Sequence, residues 1–475
     1  MASLNVNLIN LSNVFIEQGI KREYPFHNLA SHVIGYMSSP QKSDIKKNPF
    51  LEMMDTNIGR SGIEQSFEKE LRGFPGTRHL EVNARGREIR EISKEESVRG
   101  SNIKLTIDIN LQKYINSLLK DKNGSILVID VNNGELLAAA SSPNFDPNLF
   151  TKSISQEEWD KLINNPMAPL VNKSISGEYS PGSTFKLIVL YSGLINKIIE
   201  PNGIINCTSK IEYGDRNFYC WCHKKKTGCW ATQSHTRKVG PELAIAQSCD
   251  GFFYKLAKKL GIENIAETAK NFGLGSKSGV NLKGEKSGLV PNKSWKKKHH
   301  KQSWKIGETM ITGVGQGFLT TTPIQLAVMI AMFANNGKKI FPTIYKNIKG
   351  VNTNDNEVFT TQTLYQKKFF SLIKNGMFSV VNKPFGTAFG SRTSRPIFAG
   401  KTGTVQVRTI SENERELGII PNKDLPFNQR DHALFLGFAP YKNPKIAVSV
   451  VIEHGGSGSK IAAPIAKKIF KKALL

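Results

Sequence analysis

Long apolar runs are missing from this 475-residue chain. No stretch of roughly eighteen consecutive apolar residues occurs, which excludes a membrane-spanning helix within the sequence as it stands. Residues 1–20 also lack the charged start, apolar centre and small-residue cleavage site of a signal peptide. There is no internal repeat or low-complexity tract. Acidic residues are scarce, 39 against 65 basic, and the net charge of +26 favours anionic surroundings: phospholipid headgroups, acidic wall polymers or nucleic acid. Charge alone does not choose among them. Cysteine is sparse and local, since all five thiols fall between Cys207 and Cys249. A hydrophobic content of 39% nevertheless suffices for one large core with a smaller domain beside it.

What is present is chemically pointed. Ser183-Thr184-Phe185-Lys186 follows Tyr179-Ser180-Pro181-Gly182, where Pro181 and Gly182 mark a turn that opens a helix. The apolar run Leu187-Ile188-Val189-Leu190 predicts that the helix is buried. A serine and a lysine three residues apart share one helix face, so a neutral amine can take the hydroxyl proton. Ser-x-x-Lys alone arises by chance in chains of this length; two further motifs in order remove that explanation. They are Ser248-Cys249-Asp250 and Lys401-Thr402-Gly403-Thr404. This trio is a known signature of penicillin-binding proteins and class A β-lactamases, here with aspartate in place of the usual asparagine.

The chain resembles the class B penicillin-binding proteins, more narrowly their elongation type, in Val171-Asn172-Lys173, in Ser248 through Tyr254 and in Gly313-Val314-Gly315-Gln316-Gly317 leading to Thr322-Pro323-Ile324-Gln325. Tyr24-Pro25 and His32-Val33-Ile34-Gly35-Tyr36 extend the likeness toward the N-terminus. The resemblance implies an α+β transpeptidase fold of the penicillin-binding/β-lactamase-like kind over residues 99–475. It also implies a partial pedestal, or dimerisation, domain over residues 1–98. The activity implied is peptidoglycan D,D-transpeptidation through a serine acyl-enzyme, in cell elongation and rod shape, with β-lactams as covalent inhibitors. A serine β-lactamase or D,D-carboxypeptidase is the alternative within the same chemistry, and an inactive scaffold or β-lactam sensor the alternative from another class. The partners implied are stem peptides, β-lactams and a membrane glycosyltransferase of the elongation machinery, with no nucleic acid. The location implied is the inner membrane with the catalytic domain facing the periplasm. Such an enzyme carries an N-terminal anchor, so the sequence reads as a fragment, split product or truncated gene model.

In that scheme Ser183 attacks a carbonyl and Lys186 accepts its proton, which requires a lysine whose pKa has fallen toward neutrality; burial and a second cation, Lys401, supply the shift. Ser248 relays the proton. Asp250 accepts hydrogen bonds but cannot donate as an amide does, so an asparagine's substrate-binding role does not carry over to it directly. Lys401 through Thr404 form a sheet edge able to pair with an extended peptide, with Gly403 clearing the approach. The hydroxyls of Thr402 and Thr404, with Lys401, hold a terminal carboxylate, and the backbone N–H groups of Ser183 and Thr404 form the expected oxyanion hole.

The five cysteines leave one thiol over if paired, and Cys220-Trp221-Cys222-His223 suits a metal at least as well as disulfides. The resemblance implies zinc on Cys207, Cys220, His235 and Cys249, with His235 the loosest match. A basic run, Lys296 through Lys301 between Trp295 and Trp304, reads as a solvated loop or a nucleic-acid surface.

Periodicity supplies the outline of the fold. Alternation at Lys104–Asp108 predicts a strand and residues 110–119 a helix. Ser125–Asp130 and Glu135–Ala140 around Asn132-Asn133-Gly134 predict a hairpin, as do Ala433–Phe438 and Lys445–Val451 around residues 440–444. A basic amphipathic helix starts near Ala463, and residues 88–96 read as an extended connection. Strands from both ends with helices between them predict a central antiparallel sheet covered by helices.

Overall fold

The computed structural model describes residues 22–53, 57–84, 88–151, 154–221, 223, 236–347, 364–411, 413–414 and 419–475. Its centre is a five-stranded antiparallel sheet built from both ends of the catalytic region. The strands are β1 (Asn123–Asp130), β2 (Leu136–Ser142), β3 (Ala399–Val405), β4 (His432–Ala439) and β5 (Ile446–Glu453), in the order β3-β4-β5-β1-β2. Both expected hairpins are present, β1–β2 turning at Gly134 (φ 80°) and β4–β5 pairing Ala433 with Ile452 through Ala439 with Ile446. Nearly every residue of β1, β4 and β5 is buried, the pattern of a sheet covered on both faces.

The covering helices are α1 (Ile109–Leu118), α2 (Lys186–Ile195), α3 (Pro241–Ala246), α4 (Asp250–Leu260), α5 (Lys293–His300), α6 (Pro323–Ala334), α7 (Leu364–Asn382) and α8 (Ala463–Leu474). α1 and α8 pack together on β2, β4 and β5, while α6 lies on β1, β4 and β5. α6 is buried at all twelve positions, and Thr322 caps it by accepting from the Gln325 N–H. α2 is buried from Lys186 to Leu194 and packs against α4 and α7, so it forms the axis of the helical lobe. Asp108 starts α1 by accepting from the N–H groups of Asn110 and Leu111, 2.9 and 3.0 Å away.

Three expectations change. Residues 88–96 are not a bare connection, because Glu88–Glu95 pairs with Thr77–Val82 as a hairpin. The strand at Lys104 is short, Lys104–Leu105 only, and pairs with Tyr345–Asn347. The basic run is helical rather than a loop: the Asn292 side chain accepts from the Trp295 N–H at 2.8 Å and starts α5, whose cations cluster at the C-terminal end that favours them.

The N-terminal residues hold to the catalytic region through specific contacts. His32 is buried, its Nε2 2.6 Å from the Pro169 carbonyl, and its own carbonyl accepts from Asn172. Tyr36 stacks on Phe150 at 4.1 Å, and Tyr24 and Asn148 exchange two hydrogen bonds. No helix among the described residues is long and apolar enough to cross a membrane.

Candidate active site

Ser183 sits in a single 3₁₀ turn, Gly182–Phe185, that runs directly into α2. Thr184 and Phe185 are wholly buried, whereas Ser183 is half-buried, so the turn presents this one hydroxyl toward solvent. The turn is clamped from outside. The Gly182 N–H donates to the Gly315 carbonyl at 2.8 Å, Ser180 Oγ donates to the Leu319 carbonyl at 3.2 Å, and Tyr179 and Thr321 exchange backbone hydrogen bonds. A Cβ on Gly315 would fall 2.0 Å from the Gly182 carbonyl oxygen, and its φ of 77° favours glycine. That close approach explains why a glycine-rich stretch lies so far downstream of the nucleophile.

Lys186 opens α2 with no exposed surface. Its Nζ donates to the Ser248 carbonyl at 2.9 Å and to Ser248 Oγ at 3.1 Å, and pairs with Asp250 Oδ1 at 2.5 Å. The Ser-x-Asp motif is shaped for this. Ser248 ends α3 in a left-handed conformation (φ 53°), an uncommon one for a side-chain-bearing residue, and the chain then turns into α4. Asp250 lies in the first turn of α4, where the helix dipole favours a carboxylate. Its second oxygen accepts from the Trp221 N–H at 2.8 Å. Burial pushes the Asp250 pKa up and the Lys186 charge opposes this.

Lys401 stands at the centre of β3, wholly buried, its Nζ 3.1 Å from the Thr402 carbonyl. Desolvation, reinforced by the Lys186 charge and opposed by Asp250, holds its amine well below the usual lysine range. The sequence reading put the depressed amine at Lys186 with Lys401 as its cation. The structure gives Lys186 a carboxylate partner, Asp250, beside its contacts with Ser248.

β3 is the outer strand of the sheet, hydrogen-bonded to β4 alone. Alternation places Lys401 and Gly403 on one face and Thr402 and Thr404 on the other. A Cβ on Gly403 would meet Thr184 Cγ2 at 3.1 Å, the Pro181 carbonyl at 3.3 Å and Leu434 Cβ at 3.0 Å. Gly403 therefore makes room for the nucleophile's turn, a neighbour that the sequence did not indicate. Of the three groups expected to hold a carboxylate, only Thr404 is exposed. Thr402 is buried with its hydroxyl 2.8 Å from that of Thr387, and Lys401 is wholly buried.

Behind Ser248 the thiols converge. The sulphur atoms of Cys207, Cys220 and Cys249 lie within 4.8 Å of one another, all buried and all unbridged. Cys207 and Cys249 approach to 2.9 Å, well beyond the roughly 2.05 Å of a disulfide. Hydrogen bonds from Cys207 and Cys249 draw the Cys220 thiol well below its ordinary range, while those two are raised, Cys207 to about 12. Three buried thiols brought this close together form a donor set suited to a soft cation. Gly251 is part of it, because a Cβ there would lie 2.4 Å from Cys207 Sγ. His235, like Cys222 and Cys229, lies outside the described residues. His223 contacts Ser209 Oγ at 3.0 Å.

Residues 124–471 match the penicillin binding protein transpeptidase domain, and residues 1–105 the penicillin-binding protein dimerisation domain. The sequence is 34% identical to the peptidoglycan D,D-transpeptidase MrdA of Salmonella typhimurium, over 99% of this chain and 75% of that protein. It is 33% identical to MrdA of Escherichia coli, over 97% and 72%. This chain belongs to the PBP2/MrdA-type class B penicillin-binding proteins. Among solved structures of that type, the complex of PBP2 with MreC from Helicobacter pylori superposes with a TM-score of 0.86 at 33% identity, covering 99% of this chain and 82% of that one. Pseudomonas aeruginosa PBP2 in complex with WCK 5153 gives 0.81 at 33%, covering 96% and 91%.

In this penicillin-binding protein one residue of the site escaped the sequence reading. Trp221 holds the Ser-x-Asp loop twice, through its N–H to Asp250 and through its indole Nε1–H to the Gln247 carbonyl at 3.0 Å. Its only sequence signal is its place beside Cys220.

Proposed function

We propose that this protein is a peptidoglycan D,D-transpeptidase of the elongation machinery, cross-linking stem peptides through an acyl-enzyme on Ser183. The observation that carries the reading is a partly exposed Ser183 one turn ahead of Lys186, whose buried amine is hydrogen-bonded to Ser248 and paired with Asp250. Lys186 first yields a proton to Asp250, 2.5 Å away, and the neutral amine then takes the Ser183 proton as Oγ attacks the carbonyl of the penultimate D-alanine. The Lys186–Ser248 hydrogen bond gives that proton a route to the departing D-alanine amine. An amine of a neighbouring stem then attacks the ester, returning its proton along the same path and freeing Ser183. The free edge of β3 pairs with the extended stem peptide, Thr404 takes its terminal carboxylate, and the N–H groups of Ser183 and Thr404 receive the oxyanion.

A β-lactam acylates the same oxygen. The catalytic domain is assigned to residues 99–475 and the pedestal domain to 1–98, with the enzyme at the inner membrane facing the periplasm and a membrane glycosyltransferase as partner. Zinc suits the three buried thiols of Cys207, Cys220 and Cys249, whose sulphur atoms lie within 4.8 Å of one another, and His235 would be the fourth ligand. Bound there, it would fix Cys249 and hence the backbone next to Ser248.

The test is labelling with a fluorescent penicillin. The wild type forms a stable adduct and Ser183→Ala forms none. Rapid release of the label would mark a hydrolase, and labelling of the variant at wild-type stoichiometry would place the nucleophile elsewhere.

A further inference from the structure

Helix α5 and the chain that follows it carry six lysines between Lys293 and Lys305 and no acidic residue before Glu308. Glu308 is neutralised from within, because Lys296 is buried and paired to it. The other nearby carboxylate, Glu263, accepts from the Lys293 N–H at 3.1 Å. Lys297, Lys298, His299, His300 and Lys301 are all exposed. Rings interleave with these charges. Trp295 stacks on His299 with centroids 5.6 Å apart, and Phe318 packs against Trp295 at 5.2 Å and His300 at 5.0 Å.

Phe318 joins this patch to the catalytic turn. It lies inside the 315–321 segment that clamps residues 179–182, next to Leu319, whose carbonyl receives the Ser180 hydroxyl. Ser180 precedes Ser183 by three residues, so their Cα atoms are at most ~11 Å apart. A cationic surface lined with rings therefore runs from the wall of the active site outward along α5.

Resting on the transpeptidase reading, we infer that this surface docks an un-cross-linked glycopeptide strand next to Ser183. Such a strand combines sugar rings, whose apolar C–H faces pack on aromatic rings, with stem carboxylates, which lysines bind by charge-assisted hydrogen bonds. Nucleic acid and anionic lipid share the charge but have no reason to sit beside a peptide-transferring serine. The patch adds affinity for the polymer and takes no part in acylation.

The experiment uses the full chain with labelled glycan strands carrying complete stem peptides. Sedimentation with these strands is expected to fall at least tenfold for the combined Lys297→Glu, Lys298→Glu and Lys301→Glu variant, and several-fold for His299→Ala with His300→Ala. Fluorescent-penicillin acylation of both should remain within twofold of wild type. Binding should weaken with salt. Unchanged strand binding in the charge-reversed variant overturns the inference, as does stronger wild-type binding to phosphatidylglycerol vesicles or to single-stranded RNA at equal salt. If the wild type binds strands but is never acylated, the catalytic reading fails while the docking result stands.

Discussion

Replacing Lys401 by methionine separates what the buried amine does for catalysis from what it costs the fold. In the unfolded chain this lysine takes up a proton near the ordinary value of about 10.4. In the folded protein, desolvation and the Lys186 charge hold it well below that. Between the two values the unfolded state binds more protons, so stability rises with pH by up to about 1.4 kcal/mol per unit from this group alone. Below the folded value and above the ordinary one, the contribution is flat. Methionine keeps the length and stays apolar, and loses only the hydrogen bond to the Thr402 carbonyl, worth about 1 kcal/mol. Urea unfolding of both proteins from pH 6 to 9.5 should show wild type gaining on Lys401→Met as pH rises. Penicillin acylation by the variant should drop at least a hundredfold, because the buried amine that is electrostatically coupled to Lys186 is gone. Parallel stability curves, offset by a constant, would refute a depressed amine at this position.

Lys186→Ala should slow acylation by orders of magnitude and also destabilise the protein by about 3–5 kcal/mol, because Asp250 is left buried without its cation; a second change, Asp250→Asn, should recover much of that stability and none of the acylation, as read by thermal melts and labelling rates. Gly403→Ala should cost about 1–3 kcal/mol and slow acylation, since the new methyl group presses on Thr184 and Pro181; a neutral result in both measurements would separate the strand from the nucleophile's turn. Elemental analysis of reduced protein should find about one zinc per chain. Chelation should lower the melting temperature and slow acylation, and metal-free protein with a mapped Cys207–Cys220 disulfide would remove zinc while leaving the serine chemistry untouched.

The serine, its lysine and both hairpins were legible because they are local. Ser183 and Lys186 share a turn, and each hairpin is written in period-two alternation around a short turn. The same holds for fold class, since strands at both ends of the catalytic region can only meet in one sheet. What the sequence did not disclose is non-local geometry. The Lys186–Asp250 pair spans 64 positions and depends on Ser248 turning the chain with a positive φ, a conformation that no composition rule assigns to serine. Asp250 therefore looked like a weakened asparagine, when burial beside an amine makes it an ion-pair partner. Gly403 and Gly315 show the same limit. A glycine advertises close approach without naming the neighbour, and here both neighbours belong to the turn that carries Ser183. The basic run at 296–301 hid its helix because lysine spacing has no apolar period. Only the Asn292 cap and the burial of Lys296 against Glu308 fix it, and both are visible once the helix has formed. Each miss thus involves a polar group whose partner lies far along the chain, where pattern ends and packing decides.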